Sequence, residues 1–105
     1  MSALPQRMIF VYTQMMELTF DPIKRAKALA ERRLDFLDAK EVFAGLVFQQ
    51  QDIRFDYGEV RIITVGRLRG RMVVLVWTER AGARHIISMR KANSREQARY
   101  ETALE

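Results

Sequence analysis

The sequence predicts an α+β domain in which an antiparallel β-sheet packs against two N-terminal helices and is followed by a C-terminal helix. Three observations carry this. Asp21-Pro22 is a strong helix start, glycine-punctuated β-rich runs fill residues 60–89, and Asn93 stands three residues before Glu96 like a capping box.

The elements follow in order. Met16, Leu18 and Phe20 alternate with polar residues, which predicts a short strand over 16–20. Asp21 caps and Pro22 opens a helix whose apolar face is expected to hold Ile23, Ala26, Ala30 and Leu34, with Lys24, Arg25 and Lys27 around it. A second helix is expected from Asp35, burying Phe36, Ala39, Val42 and Phe43, with Gly45 ending it in a left-handed conformation. Leu46–Phe48 reads as a short strand and 49–58 as a polar connection. Strands over 60–65 and 72–77 are separated by Gly66-Arg67-Leu68-Arg69-Gly70-Arg71, a hairpin with a basic tip. The second of these runs is apolar on both faces and should be central. Residues 78–83 turn the chain into a strand at about 84–89, and the last helix, about 94–104, has a weak apolar face of Ala98, Ala103 and Leu104.

The chain has 105 residues, enough for one modest core. It has no cysteine, which rules out thiol chemistry and thiolate-held metal, and a single histidine rules out a multi-histidine zinc site within one copy. No apolar run approaches the roughly 20 residues needed to span a bilayer, so the expected partners include no membrane and the expected location is the cytoplasm.

Charge is distributed unevenly. Residues 1–60 carry eight Lys/Arg against nine Asp/Glu, a net of −1, whereas residues 61–105 carry ten against four, a net of +6. Nine of those ten are arginines: Arg61, Arg67, Arg69, Arg71, Arg80, Arg84, Arg90, Arg95 and Arg99. The planar guanidinium pairs bidentately with phosphate and stacks on bases, which suits RNA; an acidic protein would be drawn to the same surface.

Several segments, in order and spacing, resemble one family. They are Leu18-Thr19-Phe20-Asp21-Pro22, Leu34-Asp35-Phe36 with Ala39 and Val42-Phe43, Asp56-Tyr57-Gly58-Glu59 with Arg61, Gly66 and Gly70-Arg71. Trp77-Thr78-Glu79-Arg80 follows, and then Ile86-Ile87-Ser88-Met89-Arg90-Lys91-Ala92-Asn93 with Glu96 and Tyr100. The pattern resembles the BrnT family of toxins from bacterial toxin–antitoxin pairs. The resemblance covers 16 to about 101 and implies a RelE-like fold, ribonuclease toxicity and neutralisation by a BrnA antitoxin whose DNA-binding domain brings the pair to its operator. Residues 1–15 lie upstream of where the family begins, as an extension or an upstream start, and 16–105 form the single toxin domain. Two departures stand out. Arg32 and Arg33 occupy positions where the family usually has His-Gly, and His85 stands where it usually has arginine.

The expected activity is therefore a metal-independent endoribonuclease that inhibits translation by 2′-hydroxyl attack, with RNA as substrate, the ribosome as a further candidate partner and no cofactor. His85 is the one side chain whose ordinary pKa suits a general base or acid. Arg80 and Arg90 are expected to stabilise phosphate charge, with Glu59 and Arg61 as secondary catalytic candidates. Arg67, Arg69, Arg71, Arg84, Lys91 and Tyr57 are candidate RNA contacts. Strict strand alternation sets Arg84, Ile86, Ser88 and Arg90 against His85, Ile87 and Met89, so His85 and Arg90 share a face only if a bulge or the strand end intervenes. The plain alternative for His85 is a strand histidine with an ordinary hydrogen bond, and for Glu59 a salt-bridge partner. Met15, Met16, Met72 and Met89 are expected as core filler and Trp77 as a core anchor. The competing function is a non-catalytic binding module that acts with the antitoxin as an autorepressor.

Overall fold

The computed structural model describes residues 16–105. The expected N-terminal extension and Met15 lie outside the described residues. A five-stranded sheet has the order β1-β5-β4-β3-β2, where β1 is Leu18–Phe20, β2 Phe48–Gln51, β3 Ile62–Leu68, β4 Arg71–Arg80 and β5 Ala83–Lys91. The helices are α1, Pro22–Arg32; α2, Ala39–Ala44, preceded by a 3-10 turn at Phe36–Asp38; and α3, Ser94–Tyr100, followed by a 3-10 turn at Thr102–Leu104.

The sheet is mixed rather than wholly antiparallel. β1 lies at one sheet edge parallel to β5, in the register Thr19 to His85, with the Arg84 amide donating to the Glu17 carbonyl at 2.8 Å, and α1 and α2 carry the chain to β2 at the opposite edge. Strands more than sixty residues apart in sequence carry no local signal of their relative direction.

Asp21 caps α1, accepting from the Ile23 amide at 2.9 Å, with Pro22 in the first turn. Of the expected apolar face only Leu34, just beyond the helix, is buried: Ile23, Ala26 and Ala30 are exposed, and α1 itself meets the core through Ala28. Short alanines contribute little to helical periodicity, so the true seam was faint. Arg33 ends the helix at φ 57°, a left-handed cap whose amide donates to the Leu29 carbonyl. Gly45 ends α2, but at φ −98° it is extended rather than left-handed.

Both hairpins are tighter than expected, and their strands are longer. β3 and β4 turn on Arg69 and Gly70, at φ 50° and 83°; β4 and β5 turn on Ala81 and Gly82, at φ 51° and 77°. Two consecutive positive φ values give the turn twist that matches the strands. Gly66 is no turn residue: it sits inside β3, and a Cβ there would lie 2.7 Å from Val42 Cγ1 and 3.0 Å from Val47 Cγ1. β2 starts at Phe48 and takes Gln49–Gln51 from the expected loop.

The main core lies on the helix-covered face, where Phe36, Val42, Phe43, Leu75, Trp77, Ile86 and Met89 pack beneath α1 and α2. Trp77 is the expected anchor, its Nε1 donating to Thr64 Oγ1 at 2.8 Å. A smaller core on the opposite face joins Val65, Met72, Val74 and Ala92 to Tyr100 and Leu104. Of the expected face Leu104 is buried, whereas Ala98 and Ala103 are exposed and Tyr100 takes their place in the docking. Because α3 is short, it shields the end of this face nearest the β3–β4 hairpin and leaves the rest to loop 52–60.

Candidate functional site

The decisive local event is a bulge in β5. Val76 pairs with Ser88 but Trp77 pairs with Ile86, so Ile87 is the extra residue and the alternation inverts there. Arg84, Ile86 and Met89 consequently all point into the helix-side layer: Ile86 and Met89 join its core, and Arg84 stacks on Phe43 and Trp77. His85, Ser88 and Arg90 are left on the other face. The face conflict anticipated between His85 and Arg90 is thus removed by a bulge, one of the two devices that could remove it.

His85 receives Thr19 across the parallel pairing, with 2.9 Å between Thr19 Oγ1 and Nδ1. Burial pushes its pKa below the ordinary value, Arg80 pushes in the same direction, and Glu59 opposes them, with smaller effects from Lys24 and Asp21. Glu59 accepts from Arg80 Nη2 at 3.1 Å, and the Arg80 hydrogen bond is the chief reason its pKa is lowered. Arg61 Nε stands 3.5 Å from Glu59 Oε2 in a charge contact that makes no hydrogen bond. The Arg61 guanidinium lies 4.1 Å from the centre of the Tyr57 ring. Arg80, Glu59, Arg61 and Tyr57 therefore form one continuous cluster, whose Arg80 and Glu59 charges reach His85.

Arg90 shares the face but not the cluster. It forks onto Glu96, with Nη1 to Oε1 at 2.7 Å and Nη2 to Oε2 at 2.8 Å. Glu96 also accepts from the Asn93 amide at 2.9 Å and Asn93 Oδ1 from the Glu96 amide, which is the expected capping box. The Arg90 fork, more than the cap, pulls the Glu96 pKa down to about 2.

Arg84 was expected among the RNA contacts and is not on that surface. It is 3% exposed, with its guanidinium 3.5 Å from the Phe43 ring centre and 4.5 Å from that of Trp77. Its Nε and Nη2 have no hydrogen-bond partner among the described residues, and burial lowers its pKa to about 10. Arg69 folds back onto Glu41 at 3.0 Å and Asp38 at 3.4 Å. Arg67, Arg71 and Lys91 are exposed and line an open groove with Met72, Ala92 and Gln97.

Three participants escaped sequence reasoning. Thr19 needs the parallel register to be seen. Asp52 and Arg54 brace loop 52–60: Arg54 donates to Asp52 through its amide, Nε and Nη2 at 3.2, 2.9 and 2.8 Å, and Tyr57 Oη adds 2.9 Å. The Arg54 guanidinium holds this buried carboxyl well below the usual carboxylate range. Asp two residues before Arg, and five before Tyr, was the available signal. Among the described residues no group of three or more His, Cys, Asp or Glu side chains could hold a metal ion, and no helix is long and apolar enough to cross a membrane.

A family model described as "Ribonuclease toxin, BrnT, of type II toxin-antitoxin system" matches residues 20–96, from the end of β1 through the Glu96 cap. The chain belongs to the BrnT family. The crystal structure of the Brucella abortus ribonuclease toxin BrnT is similar in fold, with a TM-score of 0.58 and 24% sequence identity over 76% of this chain and 100% of that one. No curated protein matches. The BrnT match takes in Glu59, Arg61, Arg80, His85 and Arg90, and thus the whole bulged surface. Arg33, which stands where the BrnT resemblance implies glycine, is the left-handed cap of α1, so a glycine there has an evident backbone reason.

Proposed function

We propose that this chain is the toxin of its pair and cleaves RNA through the 2′-hydroxyl, on a RelE-like scaffold, with a BrnA-like antitoxin as its neutralising partner. The observation that carries the reading is His85, held by Thr19, on the same sheet face as the Arg80–Glu59–Arg61 cluster. His85 removes the 2′-hydroxyl proton, the 2′ oxygen attacks phosphorus, and the bond to the 5′ oxygen breaks. The departing oxygen takes a proton from solvent. Arg80 and Arg61 stabilise the crowded phosphate charge, and Glu59 holds both in place. Thr19 fixes the imidazole ring. The reaction needs no metal, because base and charge stabilisation both come from side chains. Arg67, Arg71 and Lys91 attract the RNA backbone at longer range, and Arg90 contributes once released from Glu96. Operator DNA is reached only through the antitoxin; the ribosome remains a candidate partner of the active toxin.

Expression of the chain alone should arrest growth, and co-expression of the neighbouring gene should relieve it. Purified protein should leave 2′,3′-cyclic phosphate ends on RNA, and folded His85→Ala protein should leave RNA intact. Soluble wild-type protein that neither arrests growth nor cleaves RNA would instead make the chain the non-catalytic half of a repressor complex.

A further inference from the structure

Loop 52–60 uses its polar groups to hold its own shape. Asp52, buried at its start, takes four hydrogen bonds from Arg54 and Tyr57, and its amide donates to the Arg61 carbonyl at 2.8 Å. Asp56 Oδ1 accepts from the Gly58 amide at 3.0 Å, with Gly58 turning the chain at φ 71°. The return is pinned by Thr78 Oγ1 donating to the Val60 carbonyl at 2.6 Å.

So braced, the loop leaves its apolar residues in water: Ile53 is 81% exposed, Phe55 69% and Val60 58%. A folded chain gains nothing for itself by fixing a large aromatic side chain outward. Phe55 meets Tyr57 edge-on at 5.8 Å, Tyr57 carries the Arg61 guanidinium, Arg61 contacts Glu59, and Glu59 contacts Arg80, whose charge acts on His85. A line of contacts thus runs from the exposed ring to Arg80, whose charge reaches the base. Guanidinium groups stand nearby: Arg54 is the neighbour of Phe55 in the chain, held on Asp52, and Arg61 lies 4.1 Å from the centre of the Tyr57 ring that Phe55 meets.

We propose that Phe55 is a stacking platform for an unpaired nucleobase next to the His85 site. The proposal rests on the ribonuclease reading and deepens it. An aromatic face bordered by cations suits a base with a phosphate on each side, because every base offers a π-face and every linkage an anion. The substrate it selects is single-stranded RNA, since a paired base has no free face to offer. Beyond bracing the loop, these guanidinium groups favour a polyanion over a purely apolar protein anchor. Phe55 belongs to substrate binding rather than to proton transfer.

The test uses a fluorescein-labelled single-stranded RNA with 2′-O-methyl riboses, which binds but cannot undergo 2′-hydroxyl attack. Full-length Phe55→Ala protein should bind it roughly tenfold to hundredfold more weakly than wild type, with an unchanged melting temperature. Phe55→Trp should restore affinity, and the F55W indole emission should be quenched as the oligonucleotide binds. Equal affinity for wild type and Phe55→Ala would overturn the proposal while leaving the ribonuclease reading intact. So would a loss that Phe55→Trp fails to restore, which would assign the effect to loop shape. Unchanged RNA affinity with lost antitoxin binding would make Phe55 a protein contact and overturn it too. If wild type neither binds this RNA nor cleaves its unmodified counterpart, both readings fall.

Discussion

Burial and Arg80 lower the His85 pKa, against the opposing pull of Glu59. A base must be unprotonated to accept a proton, so a lowered pKa extends its working range toward acid. The acidic limb of the cleavage profile should accordingly lie below pH 6.5, and the imidazole should titrate there by NMR. Arg80→Gln removes a cation and should move that titration upward; Glu59→Gln removes an anion and should move it downward. Shifts of the opposite sign would mean that the charges do not face the ring as described. Arg33 poses a separate question. At φ 57° an L-residue bears a steric cost of about 1–2 kcal/mol, which glycine avoids at some entropic cost in the unfolded chain. Arg33→Gly should therefore raise stability by about 0.5–1 kcal/mol, read by denaturant unfolding. A loss of stability would show that the Arg33 side chain makes a contact worth more than the strain.

At the scale of elements, β3 and α2 approach so closely at Gly66 that no side chain fits between them. A Cβ would press on the fully buried Val42 and on Val47, both branched and stiff. Gly66→Ala should cost about 1–3 kcal/mol by overpacking, seen as a lowered denaturation midpoint, and Val42→Ala should recover part of it. A neutral Gly66→Ala would mean that α2 slides freely on the sheet. The same glycine explains why the hairpin was misjudged: glycine marks turns and close approaches alike, and only the position of α2 separates them. Elements with chemical punctuation were legible, including the Asp21-Pro22 start, the Asn93–Glu96 box and the apolar run of β4. Elements fixed by tertiary contact were not: the parallel direction of β1, the Ala28 seam of α1, and the polar edge strand Phe48–Gln51, which pairs with β3 despite four exposed residues. For the site, residue type pointed to His85, Arg80, Glu59 and Arg61. Arg84 misled, because sequence charge says nothing about which face a bulge gives a residue.

Across the whole molecule, cations divide into those already engaged and those left for a polyanion. Arg69 and Arg90 hold carboxylates of the helical elements, and Arg80 and Arg61 share Glu59. Arg67, Arg71 and Lys91 line the open groove beside the β3–β4 hairpin with no carboxylate partner among the described residues. RNA that displaces counterions through these three should show a steep salt dependence, about 0.7 in the logarithmic slope per phosphate for a single strand. Replacing all three by alanine should flatten that slope by about 2, measured by binding to the same oligonucleotide between 50 and 200 mM salt (about the range where such slopes are read). His85→Ala should leave the slope untouched while abolishing cleavage, because a neutral imidazole releases no counterion. If the triple variant keeps the wild-type slope, the groove does not meet RNA, and its cations are free for an acidic segment of the antitoxin. In that case the arginines of the His85 face must supply the whole electrostatic attraction, and they could do so only by exchanging Glu59 and Glu96 for phosphate.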